Sequence, residues 1–72
     1  MKKEIGQYCK EYRKSKDIKF KDLDSDIHFR TLISFEGGMS SNLMNLVPYL
    51  LIAESNNERM KFLEEIGDIL CK

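Results

Sequence analysis

Apolar side chains recur at three- and four-residue intervals in separate short runs, each closed by residues that end helices. A chain patterned in this way folds as short helices packed on one another. Ile5, Cys9 and Tyr12, with Tyr8 beside them, predict a first helix over about Lys3 to Lys16, interrupted at Asp17. Ile18, Phe20 and Leu23 form a second, smaller set, and predict a brief helix over Lys19 to Leu23 that ends among Asp24, Ser25 and Asp26. A third helix opens near His28 and is stopped by Gly37-Gly38, because glycine takes the left-handed conformation of a helix C-cap at little steric cost. Ser40, Ser41 and Asn42 are good N-cap residues for a fourth. Its series Leu43, Met44, Leu46, Val47, Leu50 and Leu51 predicts burial nearly all round, while Pro48 predicts a bend or a new start near Asn45. After the polar break Glu54-Ser55-Asn56-Asn57, the residues Met60, Leu63, Ile66 and Leu70, with Phe62 and Ile69 alongside, predict a fifth helix from about Glu58 to Cys71.

With 72 residues there is room for one domain, and a domain of this size buries only about 60% of its unfolded surface. The expected architecture is all-α and compact, with five helices. Residues 1–54 would make the core unit, and residues 55–72 a C-terminal helix that covers it or pairs with its copy. Cys9 and Cys71 lack CxxC spacing, which fits reduced thiols in a cytoplasmic protein and gives no zinc motif. The start MKKEIGQYCK has no apolar run after its lysines, and no stretch approaches the roughly 20 apolar residues of a membrane span, so no membrane partner is expected.

Catalysis finds little support in these residues. His28 is the single histidine and has no cysteine near it in sequence, so neither a metal site nor a Cys-His pair is indicated. Glu64, Glu65 and Asp68 read as the solvated face of the last helix, and Met39, Met44 and Met60 as adaptable packing or contact residues. There is no phosphate loop. No enzyme activity, cofactor or small-molecule substrate is expected.

Charge is balanced in total and divided along the chain. Residues 1–21 carry eight basic side chains against three acidic ones; residues 22–35 run to −2 and residues 36–72 to −3. A basic N-terminal third can hold phosphate, and a split of this size is equally an ordinary solvated surface.

Two stretches in this order, IGQYCKEYRKSKDIKFKDL and FRTLISFEGGMSSN, resemble the helix-turn-helix proteins of the Xre/Cro family. The resemblance covers roughly Ile5 to Leu51. It implies that the third helix is a recognition helix, and that Arg13 on the first helix forms a buried salt bridge to Glu36 at the end of the third. Three features depart from the family pattern. Asp17 stands for the glycine after the first helix, Lys19 and Phe20 stand where a polar cap and a glutamine meet phosphate, and the segment from Leu23 to Ile27 is shorter and acidic.

By the same resemblance Phe29, Arg30 and Ser34 hold the base-reading positions. Arginine suits guanine because its fork meets O6 and N7 together, phenylalanine touches a thymine methyl, and serine serves either edge. Lys19, Lys21, His28, Thr31, Ser40, Ser41 and Asn42 would hold the DNA backbone, and Lys10, Lys14 and Lys16 would add charge at the rim. Taken singly, each of these has a plain reading as a cap or a solvated charge. Phe29 and Ile33, one turn apart and opposite Leu32 and Phe35, are a contact surface for DNA or for a protein. Two functions follow. One is sequence-specific double-stranded DNA binding by a small repressor-like regulator, acting as a homodimer through Phe62, Ile66, Ile69 and Leu70. The other is the same fold turned to binding a protein partner, such as a regulator, a polymerase or a host defence component.

Overall fold

The computed structural model describes residues 2–23, 27–40 and 42–71, and among these the chain is all-helical, with no strand. Four α-helices are present: α1 (Lys2–Ser15), α2 (Phe29–Glu36), α3 (Val47–Leu51) and α4 (Asn56–Leu70). Two 3-10 segments join them, Phe20–Asp22 and Leu43–Leu46. The radius of gyration, 11.2 Å, is that of a compact chain of this length. No helix among the described residues is long and apolar enough to cross a membrane.

The five-helix expectation is corrected in two places. Lys19 to Leu23 does not make a helix; only the three residues Phe20–Asp22 turn, as one 3-10 turn whose N-cap residue, Lys19, gives no side-chain bond. The fourth helix divides at its proline. Leu43–Leu46 is 3-10, and α3 then starts at Val47 with Pro48 in its first turn, where an amide would have no intrahelical partner. In that position the ring costs the helix nothing and Pro48 is buried.

The fourth-helix series also does not bury all round. Leu46 lies in the core, whereas Leu43, Met44, Val47 and Leu51 are exposed. The residue that fills the centre is Tyr49, which a reading by aliphatic periodicity passes over.

Around Tyr49 the core gathers Ile5 and Cys9 from α1, Leu23 after the first 3-10 turn, Leu32 and Phe35 from α2, Leu46 from the second 3-10 segment, and Phe62 and Ile66 from α4. The Phe62 ring meets Tyr12 at 4.7 Å and Tyr8 at 5.5 Å between centroids, so α4 is docked on α1 by aromatic contact. Two hydrogen bonds fix the start of α4: Ser55 caps it by accepting from the Glu58 amide at 3.1 Å, and Glu58 Oε2 reaches back to the Glu54 amide at 3.2 Å. Tyr12 donates to that same carboxylate at 2.6 Å, and Lys16 Nζ lies 2.7 Å from it.

One glycine sets how close α1 and α2 come. A Cβ on Gly6 would sit 2.3 Å from the Phe35 carbonyl oxygen and 2.6 Å from that of Glu36, so only glycine lets the end of α2 lie on α1. Asp17, in the position where the resemblance calls for glycine, takes a left-handed φ of 56°.

Candidate functional site

Helix α2 is placed by one buried clamp. Arg13 donates from Nε to Glu36 Oε2 at 2.9 Å and from its second terminal nitrogen to Oε1 at 3.1 Å, a two-pronged pair in which both side chains are nearly sealed from water. The other terminal nitrogen donates to the Ile18 carbonyl at 2.7 Å, and the guanidinium lies 4.1 Å from the centre of the Phe20 ring. Tyr49 completes the set by donating to Glu36 Oε2 at 2.6 Å. Burial first, and then the bond to Glu36, hold the Tyr49 phenol protonated well above the ordinary tyrosine range. Among the described residues no buried side-chain nitrogen or oxygen lacks a partner.

Phe20 gains a role from this clamp. It stands where a family member would meet phosphate, and here it covers the guanidinium that anchors α2. Sequence reasoning missed Tyr49 altogether. The available signal was its place three residues after Leu46, which puts both on one helical face, together with its hydroxyl, which needs a partner if buried.

With Leu32, Phe35 and Glu36 turned inward, α2 leaves Phe29, Arg30, Thr31, Ile33 and Ser34 outside. Phe29 and Ile33 are 48% and 47% exposed. His28 caps the helix, its Nδ1 accepting from the Arg30 amide at 3.1 Å, and its ring stacks on Phe29 at 4.6 Å. Since Nδ1 accepts, the neutral ring carries its proton on Nε2, which remains available as a donor. At the other end Gly38 N–H donates to Phe35 O and Met39 N–H to Ser34 O, with Gly38 at φ 83° against Lys3, a Schellman closure that ends α2 abruptly.

The following loop is engaged in its own capping. Asn42 Oδ1 accepts from the Met44 amide at 3.0 Å, and Ser40 Oγ accepts from the Asn42 amide and from Asn45 Nδ2, each at 3.4 Å. A phosphate contact there would come from the Asn42 amide NH2 or the Ser40 hydroxyl proton. Ser41, with Asp24 and Asp26, lies outside the described residues. Lys19 and Lys21 are exposed beside the 3-10 turn.

On α1, Lys10 borders a shallow groove with Phe20, Ile33, Glu36 and Gly37, so it stands at the edge of the outer face of α2. Lys14 falls one turn further along the same side. Lys16 does not join them: its side chain is folded onto Glu58, with Glu54 at 3.9 Å, which removes it from the rim it was expected to charge. Glu4, Glu11 and Glu65 line a different surface, between α1 and α4.

The proposed dimer stripe is also corrected. Phe62 and Ile66 belong to the chain's own core; Ile69 is partly buried against it, and Leu70 is exposed. Among the described residues no three His, Cys, Asp or Glu side chains come together as a metal-holding group.

Set against protein-family models, curated proteins and solved structures, the chain matches none. Its resemblance to the Xre/Cro family therefore rests on its own residues.

Proposed function

We propose that the chain binds double-stranded DNA through the outer face of α2, as a small repressor-like regulator. The observation that carries this reading is the way α2 is held. A buried clamp from α1 and α3 fixes its C-terminal end, a capped N-terminus fixes the other, and Phe29, Arg30 and Ser34 project together from the side left free. A rigidly mounted helix carrying a guanidinium, a hydroxyl and an apolar ring is chemically suited to base edges in a major groove. Lys10, Lys14, Lys19 and Lys21 supply phosphate contacts beside it, and His28 offers Nε2–H at the helix entry.

The half-exposed pair Phe29 and Ile33 favours a second reading, in which this face takes a protein partner. Selection from randomised duplexes, followed by anisotropy at two salt concentrations, separates the two. DNA recognition yields a consensus, a negative salt slope, and relaxed preference at one or two positions in Arg30→Ala. A folded protein that enriches no sequence at low salt rules out sequence-specific reading and turns attention to Phe29 and Ile33.

A further inference from the structure

Helix α1 carries two acidic side chains, Glu4 and Glu11, and both line the groove where α1 meets α4. Tyr8 stands between them on the same helical line, and α4 contributes Glu65 and Ile69. The floor is apolar. Tyr8 is half-buried, its ring 5.5 Å from that of Phe62, and Ile69 packs partly against the core. The groove measures about 560 Å3, the size of a ligand site, and lies open to solvent without the walls that would enclose a small molecule.

Around this floor like charges share one site. Where two helices pack side by side, their flanking positions ordinarily set lysine against glutamate. Here Glu11 on α1 and Glu65 on α4 form no ion pair among the described residues, and Glu11 accepts only from Gln7, at 3.1 Å. The lysines of α1 do not supply the missing charge: Lys10 borders the groove beside α2, and Lys14 falls one turn along that same side. The acidic field reaches the floor as well. Burial first, and then Glu65, raise the Tyr8 phenol above the ordinary tyrosine range.

We propose that the groove between α1 and α4 docks a basic, amphipathic segment of another protein, its lysine or arginine side chains against Glu11 and Glu65 and its apolar ones on Tyr8 and Ile69. Charge complementarity selects this occupant. Nucleic acid and anionic lipid both need a positive surface, and this one is negative. An arginine there relieves the repulsion between the two carboxylates and has the Tyr8 ring within its reach. The site is separate from the outer face of α2 and holds whatever α2 recognises, so one chain can engage both at once.

Fluorescence anisotropy on the whole chain tests this with a short labelled peptide of alternating arginine and leucine, and with a glutamate–leucine peptide as its opposite. Glu65→Lys and Glu64→Lys make the same change in net charge at exposed positions of α4, but only Glu65 lines the groove. The expected result is binding of the basic peptide alone, weakened by salt, and weakened about tenfold by Glu65→Lys and several-fold by Glu11→Gln. Glu64→Lys and Arg30→Ala should leave it within about twofold of the wild type. Circular dichroism checks helix content, and should Glu65→Lys lose it, Glu11→Gln decides. Absence of binding at low salt overturns the proposal. So does an equal loss in Glu64→Lys and Glu65→Lys, which would mark adsorption by net charge, and so does a loss in Arg30→Ala, which would put the peptide on α2.

Discussion

Glu36 accepts three hydrogen bonds on one buried carboxylate, two from Arg13 and one from Tyr49, and the residues around it divide according to what its charge requires. Breaking a buried pair from one side leaves the other charge without compensation, so Glu36→Gln should lose about 3–5 kcal/mol in urea unfolding. Tyr49→Phe removes one neutral donor while the guanidinium remains, and should lose about 1–2 kcal/mol. Replacing Arg13 and Glu36 together with Met and Leu should recover much of the larger loss, since an apolar pair carries no desolvation penalty. Arg13 and Glu36 could be named from the sequence because their types and separation matched a known pattern. The third partner left only its spacing from Leu46 as a signal, because which side of a proline-broken helix turns inward depends on where the helix restarts.

At the scale of elements, the joints matter more than the helices. Alanine is the better helix former by about 1 kcal/mol, yet Gly6→Ala should destabilise by about 2 kcal/mol or more, because its methyl group would collide with two carbonyls of α2. Thermal unfolding beside a Gly67→Ala control, where the added carbon meets nothing within 4 Å, separates packing from propensity. The α1–α4 joint depends on acidity. Lys16 first, and then Tyr12, hold the Glu58 carboxyl below the ordinary glutamate range. Its folded form is therefore the weaker acid-binder of the two states, so its contribution is complete above that range and is lost as the pH falls through the lowered value. Urea midpoints measured across the acid range should fall less steeply for Glu58→Gln than for the wild type. Helix positions were legible from apolar spacing and from caps such as His28 and Asn42. The start of α4 could have been read more closely still, since Ser55 and Glu58 have capping-box spacing. The loss of the second helix was not legible: Ile18, Phe20 and Leu23 are apolar enough for one, and only the contact of Phe20 with Arg13 shows what holds them instead.

For the molecule as a whole, the two thiols report on opposite states. Cys9 is sealed in the core, where burial first and the nearby Glu36 second push its thiol up to about 12, while Cys71 is exposed at the end of α4. An aromatic disulfide reagent at neutral pH should titrate one thiol promptly and the second only at the rate of global opening, and Glu36→Gln should accelerate that second phase in proportion to its lost stability. The division of surfaces was partly legible. The basic N-terminal third was plain from a count, but the placement of Lys10 at the edge of α2 and of Lys16 away from it depended on packing that no count contains.

The Arg13–Glu36–Tyr49 clamp draws on α1, α2 and α3 at once, and its members span half of the chain. A ribosome releases them in order. A nascent chain that has emerged only as far as Glu36 can pair its charges but cannot give them the phenol or the roof of Tyr49 that keeps water away. The first two helices are therefore left waiting on the third, and the clamp closes only after α3 has emerged.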